Sequence, residues 1–533
     1  MKPRNVLILL CDEQRPDALG CVGHPLARTP WLDALAARGT RFNNAYTPSP
    51  ICVPARASLA SGLPVHQHQC WDNALAWAGE PVGWGHALQR AGVRVESIGK
   101  LHYRDANSPT GFDAQHEALH VAAGLGQVWG SVRDPLPETR GRSPLFDEVG
   151  PGESDYNRFD GRVADVACNW LHERKAIADP PWVLFVGFVA PHFPLVVPER
   201  YIDREAVKTL PLPPGSGDRL LQRHPWVERM KRYMDHDAAF ADDEARRLAM
   251  ACYWGLVNFM DEQVGRVLQA LQTSGQQDNT LVIFSSDHGD NLAERGLWNK
   301  CTLYRNATGV PMIVAGPGVP HGQVCNTPVN LTDIAPTVLS AAAFPQLKAA
   351  DRQSAENQPA AHPRGSLQGG PPDQDSNDRP CTLEPMDLVA LANAPDQPER
   401  VVLSEYHAVG SVSAGYRLAN AWQAYHHYVG FAPELFDLVN DPQETRDLAG
   451  DPRHAADLAL WGRKLRSLLD PELTDQRAKQ AQNALVARVG GRDAALNIGP
   501  RAASPAPGAP SVSSESSKSA DSSAPAPARR PTS

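Results

Sequence analysis

The stretch Asn5-Val6-Leu7-Ile8-Leu9-Leu10-Cys11-Asp12-Glu13-Gln14-Arg15-Pro16-Asp17 runs from an unbroken apolar segment straight into a cluster of acids. Val6–Leu10 reads as a strand buried on both faces, the pattern of a parallel sheet covered by helices. The run is too short to span a bilayer. Acids rather than small cleavage-site residues follow it, so it is not read as a signal peptide either. In open α/β sheets, ligands gather outside the carboxyl ends of the strands. Asp12 and Glu13 therefore stand where metal ligands stand, although solvent-facing loop acids are the commoner case for any single pair.

Working outward, the same arrangement recurs. Val93–Ile98 is a second strand and ends in Gly99-Lys100-Leu101-His102. Trp182–Val189 is a third and ends in Ala190-Pro191-His192. Thr280–Ser286 is a fourth and ends in Asp287-His288-Gly289-Asp290. Val310–Ala315 gives a fifth. Helical patterns lie between them: Thr29–Arg38 with Pro30 at its start and Gly39 as its stop, His86–Ala91, Asp160–Arg174, and the long amphipathic segment Asp242–Gln272. The fold class is α/β, a layered domain whose large, mostly parallel central sheet is flanked by helices. Loop-like stretches around 105–155 and 195–240 are expected to shape a pocket over the strand ends.

A second motif falls between the first two strands: Ser49-Pro50-Ile51-Cys52-Val53-Pro54-Ala55-Arg56-Ala57-Ser58-Leu59. Pro54 suits the first turn of a helix, and Gly62 and Pro64 end it. Cys52 is expected just before that helix N-terminus, where an anion is favoured, with Arg56 one turn further on. Taken singly, each of these residues has an ordinary reading as a buried thiol, surface cation, capping acid or satisfied histidine. Asp12, Glu13, Lys100, His102, His192, Asp287 and His288 at four strand ends, with Cys52 and Arg56, form one converging set.

The chain has 533 residues and a net charge of −9, with no long basic run, which argues against a nucleic-acid partner. Nine scattered cysteines without a CxxC pair fit a reducing compartment, so a cytoplasmic protein without a membrane segment is expected. Three parts are expected: a catalytic domain over 1–380 with a flexible insertion at 343–378, a smaller α+β subdomain over 381–497 with a short antiparallel sheet, and a disordered Ala/Pro/Ser tail over 498–533. Trp71, Trp77, Trp84 and Trp129 are open as ring-stacking or cation-holding residues and equally as packing.

Cys52-Val53-Pro54-Ala55-Arg56 resembles the C-x-P-x-R signature of type I sulfatases, in the alkaline phosphatase superfamily. The Asp12 loop, Gly99-Lys100-Leu101-His102, Pro191-His192 and Ser286-Asp287-His288-Gly289-Asp290 match that family in order. Trp71-Asp72-Asn73 and Glu294–Lys300 look like its choline-sulfatase and arylsulfatase branch. The resemblance implies an alkaline-phosphatase-like fold and hydrolysis of an organic sulfate monoester. It implies a maturation enzyme as a partner, which oxidises Cys52 to Cα-formylglycine. The aldehyde hydrate offers two hydroxyls on one carbon, one to take the sulfuryl group and one to drive release of sulfate. It further implies one divalent cation, Ca2+ first with Mn2+ or Mg2+ as alternatives, on Asp12, Asp287 and His288. Glu13, where many relatives carry Asp, either ligates directly or stands behind the ligands. Arg56 would orient the hydrate, Lys100, Lys300 and Asn73 would bind the sulfuryl group, His102 would be the base and His192 the acid. A phosphonate monoester or phosphodiester hydrolase on the same scaffold is the alternative activity, and a non-catalytic binder the remaining one. The alcohol half of a small-molecule substrate and any homo-oligomer are left open.

Overall fold

The computed structural model describes residues 5–140, 144–174, 180–217, 221–342, 382–500 and 504–507. The proposed insertion at 343–378, and the tail apart from 498–500 and 504–507, lie outside the described residues.

An eight-stranded sheet forms the centre. In spatial order its strands are Gln323–Cys325, Gly39–Phe42, Met312–Ala315, Thr280–Ser286, Asn5–Asp12, Trp182–Pro191, Arg94–Lys100 and Ala114–Leu119. The Asn5–Asp12 strand pairs in parallel with both of its neighbours, and Arg94–Lys100 continues the parallel run. Met312–Ala315, the fifth strand expected from sequence, is antiparallel to both of its partners, so the sheet is mixed at that side.

Burial of both faces explains the continuous apolar runs. Leu7, Leu9 and Cys11 point into one core, and Val6, Ile8 and Leu10 into another. The first core lies under the helices Asp155–Glu173 and Asp243–Thr273, which supply Phe159, Val163, Leu256 and Met260. The second lies under Cys52–Ser61, Trp84–Arg90 and Ile334–Ala342. Each fully buried aliphatic side chain contributes roughly 1.5–3 kcal/mol from area removed from water. The strands therefore hold firmly on both sides, and their ends become fixed reference points.

Two irregularities aim those ends. The pairing register shifts between Leu10 and Asp12 on the first strand and between Ile98 and Lys100 on the second. Such bulges turn a side chain away from the regular pleat. Gly99 and Gly187 are paired where the second shift occurs. Gly99 has a φ of 91°, and a Cβ there would lie 2.2 Å from the Gly187 carbonyl oxygen. Only glycine allows this approach of two backbones.

The C-terminal part carries a four-stranded antiparallel sheet, Val402–Tyr406, Gly415–Ala419, Gln423–Tyr428 and Glu434–Asp437. The helix Ala455–Leu468 packs Trp461 and Leu465 on it. Among the elements the sequence reading does not anticipate are the edge strand Ala114–Leu119, inside a stretch read as loop, and the helix Pro471–Arg488. The Ala/Pro/Ser composition that suggested disorder from 498 onward does not govern Ser504–Pro507, where Ser504 and Ala506 are buried.

A Cβ on Gly187 would sit 2.2 Å from the Lys100 carbonyl oxygen, which accepts a hydrogen bond from Arg56 Nη1 at 2.8 Å. Gly187→Ala is therefore expected to cost on the order of 1–3 kcal/mol in urea unfolding and to lower activity through Arg56. An unchanged unfolding midpoint would contradict this close approach.

Candidate active site

Cys52 is the first residue of the helix Cys52–Ser61, not a residue ahead of it; Ile51 is the N-cap and Gly62 the left-handed C-cap. Pro54 occupies the third helical position, where its missing N–H has no helical acceptor to lose. The Val53 N–H donates to Asn73 Oδ1 at 3.0 Å. Asn73 thus holds the helix start, while its Nδ2 donates to Gln127 Oε1 at 3.3 Å. The helix sets Cys52 and Arg56 on one side, about one turn apart, facing the strand ends.

Arg56 binds three strand ends at once. Its Nη2 donates to Asp12 Oδ2 at 2.8 Å, its Nε to Asp287 Oδ2 at 2.7 Å, and its Nη1 to the Lys100 carbonyl. Lys100 Nζ lies 2.7 Å from the same Asp12 oxygen. All four side chains are buried. Burial opposes the charged form of Asp12, but Lys100, His192 and Arg56 hold its pKa well below the usual range. Burial likewise opposes charge on Arg56, and Asp287 and Asp12 outweigh it.

With Oδ2 of both aspartates taken by Arg56, Oδ1 of each lies near His288; Asp287 Oδ1 also accepts from the Glu13 N–H at 3.2 Å. His288 Nδ1 donates to the Gly289 carbonyl at 3.0 Å. A carbonyl only accepts, so the proton of a neutral His288 ring sits on Nδ1 and the lone pair on Nε2. That Nε2 lies 3.9 Å from Asp12 Oδ1, 3.6 Å from Asp287 Oδ1 and 3.3 Å from Cys52 Sγ. Ligand atoms of Asp12, Cys52, Asp287 and His288 all lie within 4.8 Å of one another. Two inward carboxylate oxygens beside an oriented imidazole lone pair suit a divalent cation.

Glu13 falls on the other side of this group. Its Oε2 accepts from Lys300 Nζ at 3.0 Å and lies 3.5 Å from His192 Nε2. It groups with Asp12 and His192 rather than with Asp287 and His288. Among the described residues its buried Oε1 has no hydrogen-bond partner. Burial pushes the pKa of Glu13 well up despite Lys300, with the neighbouring Asp290 acting in the same direction, and burial also raises that of Asp290. Asp290 closes the Ser286–Asp290 motif, and only the folded chain brings it beside Glu13.

Lys300 Nζ also donates to Cys52 Sγ at 3.4 Å. Burial opposes its charge, but Cys52, Glu13 and Asp12 keep its pKa well above the ordinary value. His102 and His192 are both pushed well below the usual histidine range, first by burial and then by the lysines. All the candidate residues thus meet at the carboxyl edge of the sheet. Above them opens a cavity of about 520 Å3. Gln127, Trp129, Arg140 and Asp147 line it from one expected loop region, and Met234 and His236 from the other. Of the four tryptophans considered, only Trp129 lines it; Trp77 and Trp84 belong to the second core and Trp71 packs on Ala478. Tyr156 and Ser504 also line the cavity and were not anticipated.

The sulfatase family model matches residues 4–344. A choline-sulfatase of Rhizobium meliloti (strain 1021) is 28% identical over 456 residues, covering 83% of this chain and 81% of that protein. An arylsulfatase K of Danio rerio is 27% identical over 471 residues, covering 83% and 79%. Among solved structures, a phosphonate monoester hydrolase of Agrobacterium radiobacter superposes with a TM-score of 0.62 at 23% identity, covering 88% of this chain and 95% of that one. At that identity the superposition speaks for the fold alone.

Removing Arg56 would leave two buried carboxylates without their shared cation. Arg56→Ala is expected to lose about 3–5 kcal/mol of stability in chemical denaturation. A loss under about 1 kcal/mol would show that the aspartates do not depend on it.

Proposed function

The chain belongs to the sulfatase family and is a sulfuric ester hydrolase, and from that premise we propose that it splits small-molecule sulfate monoesters at a formylglycine made from Cys52. The observation that carries this reading is the placement of Cys52 at the first position of its helix, with Sγ 3.4 Å from Lys300 Nζ and 3.3 Å from His288 Nε2. Cys52 is buried, and burial together with Asp12 pushes its pKa up to about 11. A sulfuryl group carried on that sulfur would have no internal route to release, although the thiol lies between Lys300 and His288 in a site suited to an anion. Formylglycine would supply what the thiol lacks, two hydroxyls on one carbon, for attack on sulfur and for release of sulfate. A maturation enzyme is the partner this reading requires.

Asp12, Asp287 and His288 would hold a divalent ion, whose charge would favour the sulfuryl oxygens. Oxygen donors outnumber nitrogen, which favours Ca2+, with Mn2+ or Mg2+ as alternatives. In this scheme Glu13 serves Lys300 rather than the ion. Lys100 and Lys300 flank Cys52 and bind the anionic group as charge develops. Arg56 keeps both aspartates and the Lys100 backbone in place. Asn73 secures the helix that presents Cys52 and reaches the cavity wall.

The histidines divide the proton work. His192 Nδ1 donates to the Phe193 carbonyl at 2.7 Å, so its Nε2 is the nitrogen that would carry a proton to the leaving alcohol. Without substrate, burial first and then the lysines disfavour that proton. A sulfate ester seated between them offsets their charge and lets His192 act as the acid. His102, held neutral, is suited to act as the base. The reading also places the protein in the cytoplasm, supported by the free thiols of the eight described cysteines. Among the described residues no helix is long and apolar enough to cross a membrane.

Two measurements test this. On matched aryl sulfate and aryl phosphonate esters, kcat/KM should favour the sulfate; a clear preference for the phosphonate would replace the proposed activity with a phosphonate hydrolase. His192→Ala should lower turnover of an alkyl sulfate by about 10²–10⁴-fold and that of a nitrophenyl sulfate, whose alcohol leaves unaided, far less. Equal losses on both substrates would remove His192 from the role of acid.

A further inference from the structure

Ser504 lies 402 residues from His102 in the chain, yet its Oγ is 2.9 Å from His102 Nε2. We propose that Ser504 is a positioning residue for His102, and that Ser504–Pro507 forms part of the wall of the substrate pocket. The inference rests on the reading of His102 as the base.

The contact belongs to a built site. Ser504 is 6% exposed and lines the same cavity as Cys52 and His102. The Tyr156 hydroxyl donates to the Ser504 carbonyl. Ala506 is equally buried and joins the main core. Arg162 Nη2 donates to the Pro507 carbonyl at 2.8 Å. Upstream, Trp129 Nε1 donates to the Pro500 carbonyl at 3.0 Å. Gly499, at a φ of 95°, approaches Gly126 so closely that a Cβ would lie 2.1 Å from its carbonyl oxygen. Several separate anchors place a segment of tail-like composition against the pocket.

A neutral imidazole has one N–H and one lone pair, and the partner of one nitrogen decides what the other can do. His102 has a φ of 59°, and its Nδ1 is buried without a hydrogen-bond partner among the described residues. Ser504 is thus the partner seen for the ring. If Ser504 Oγ accepts the Nε2 proton, Nδ1 is left as the basic nitrogen, and the ring plane is fixed. Lys100, Arg56 and Lys300 bear on this ring as cations and Asp12 as an anion. Among the described residues only the Ser504 hydroxyl hydrogen-bonds the ring, so the hydroxyl is what orients it.

The test uses the full chain with Ser504→Ala and Ser504→Thr. On an aryl sulfate, Ser504→Ala should lower kcat about tenfold, the equivalent of one hydrogen bond, with KM little changed and with a shifted limb in the pH profile. Ser504→Thr, which keeps the hydroxyl, should recover most of the loss. Nitrogen NMR of histidine-labelled protein, with the His102 signal assigned from His102→Gln, should show the Nε2-protonated ring in the wild type and a mixture of tautomers in Ser504→Ala. This last readout needs no turnover, so it stands even if sulfate esters prove not to be substrates. Wild-type kcat and pH profile in Ser504→Ala would overturn the proposal, as would an unaltered ring signal or a threonine variant as poor as the alanine. A rise in kcat would overturn it too, and would make the segment a plug.

Discussion

The Arg56 guanidinium holds the site together. It bridges Asp12 and Asp287, which end two adjacent parallel strands, and it also takes the carbonyl of Lys100 at the end of another. Its side chain is 2% exposed and those of both aspartates 0%. Charges this deep are costly to desolvate unless each is paired and hydrogen-bonded. Planar, multidentate Arg suits the task as Lys would not. Arg56 takes one oxygen of each aspartate, and the other oxygen of each lies near His288, that of Asp287 also accepting from the Glu13 N–H. The arrangement proposed to hold a metal ion is in this sense tied to one cation's hydrogen bonds.

The same pairing divides labour among the carboxylates. Asp12 is tied to Arg56 and Lys100 and stays ionised. Glu13, one methylene longer, reaches past that cluster to Lys300 and His192, and shares its surroundings with Asp290. The resemblance to a family with two aspartates in this loop left open what Glu13 does. Its placement beside Lys300 follows from side-chain reach together with the positive φ of 71° at this residue, neither of which a sequence displays.

Much of the fold was legible because buried parallel strands write themselves as apolar runs, and because Gly and Pro punctuate the helices around them. The site was legible for a related reason: its residues come directly after those runs, so order along the chain maps onto proximity at the sheet edge. Ala114–Leu119 escaped because an edge strand is half-buried and its AQHEAL sequence neither alternates nor runs apolar. Met312–Ala315 was visible as a strand, but its direction depends on neighbours far along the chain. Ser504 escaped because composition is an average over a window. A few residues with partners in the folded core can be placed even where the surrounding segment lacks the apolar content to fold by itself.

If Cys52 is the precursor of formylglycine and not the working thiol, conversion and activity must rise together. The most direct measurement is mass spectrometry of the peptide containing Cys52, taken across preparations made with graded amounts of the maturation enzyme and compared with sulfatase activity. The account predicts a formylglycine-containing peptide whose fraction rises in proportion to activity and reaches zero activity at zero conversion. Full activity in a preparation whose Cys52 is intact would contradict it.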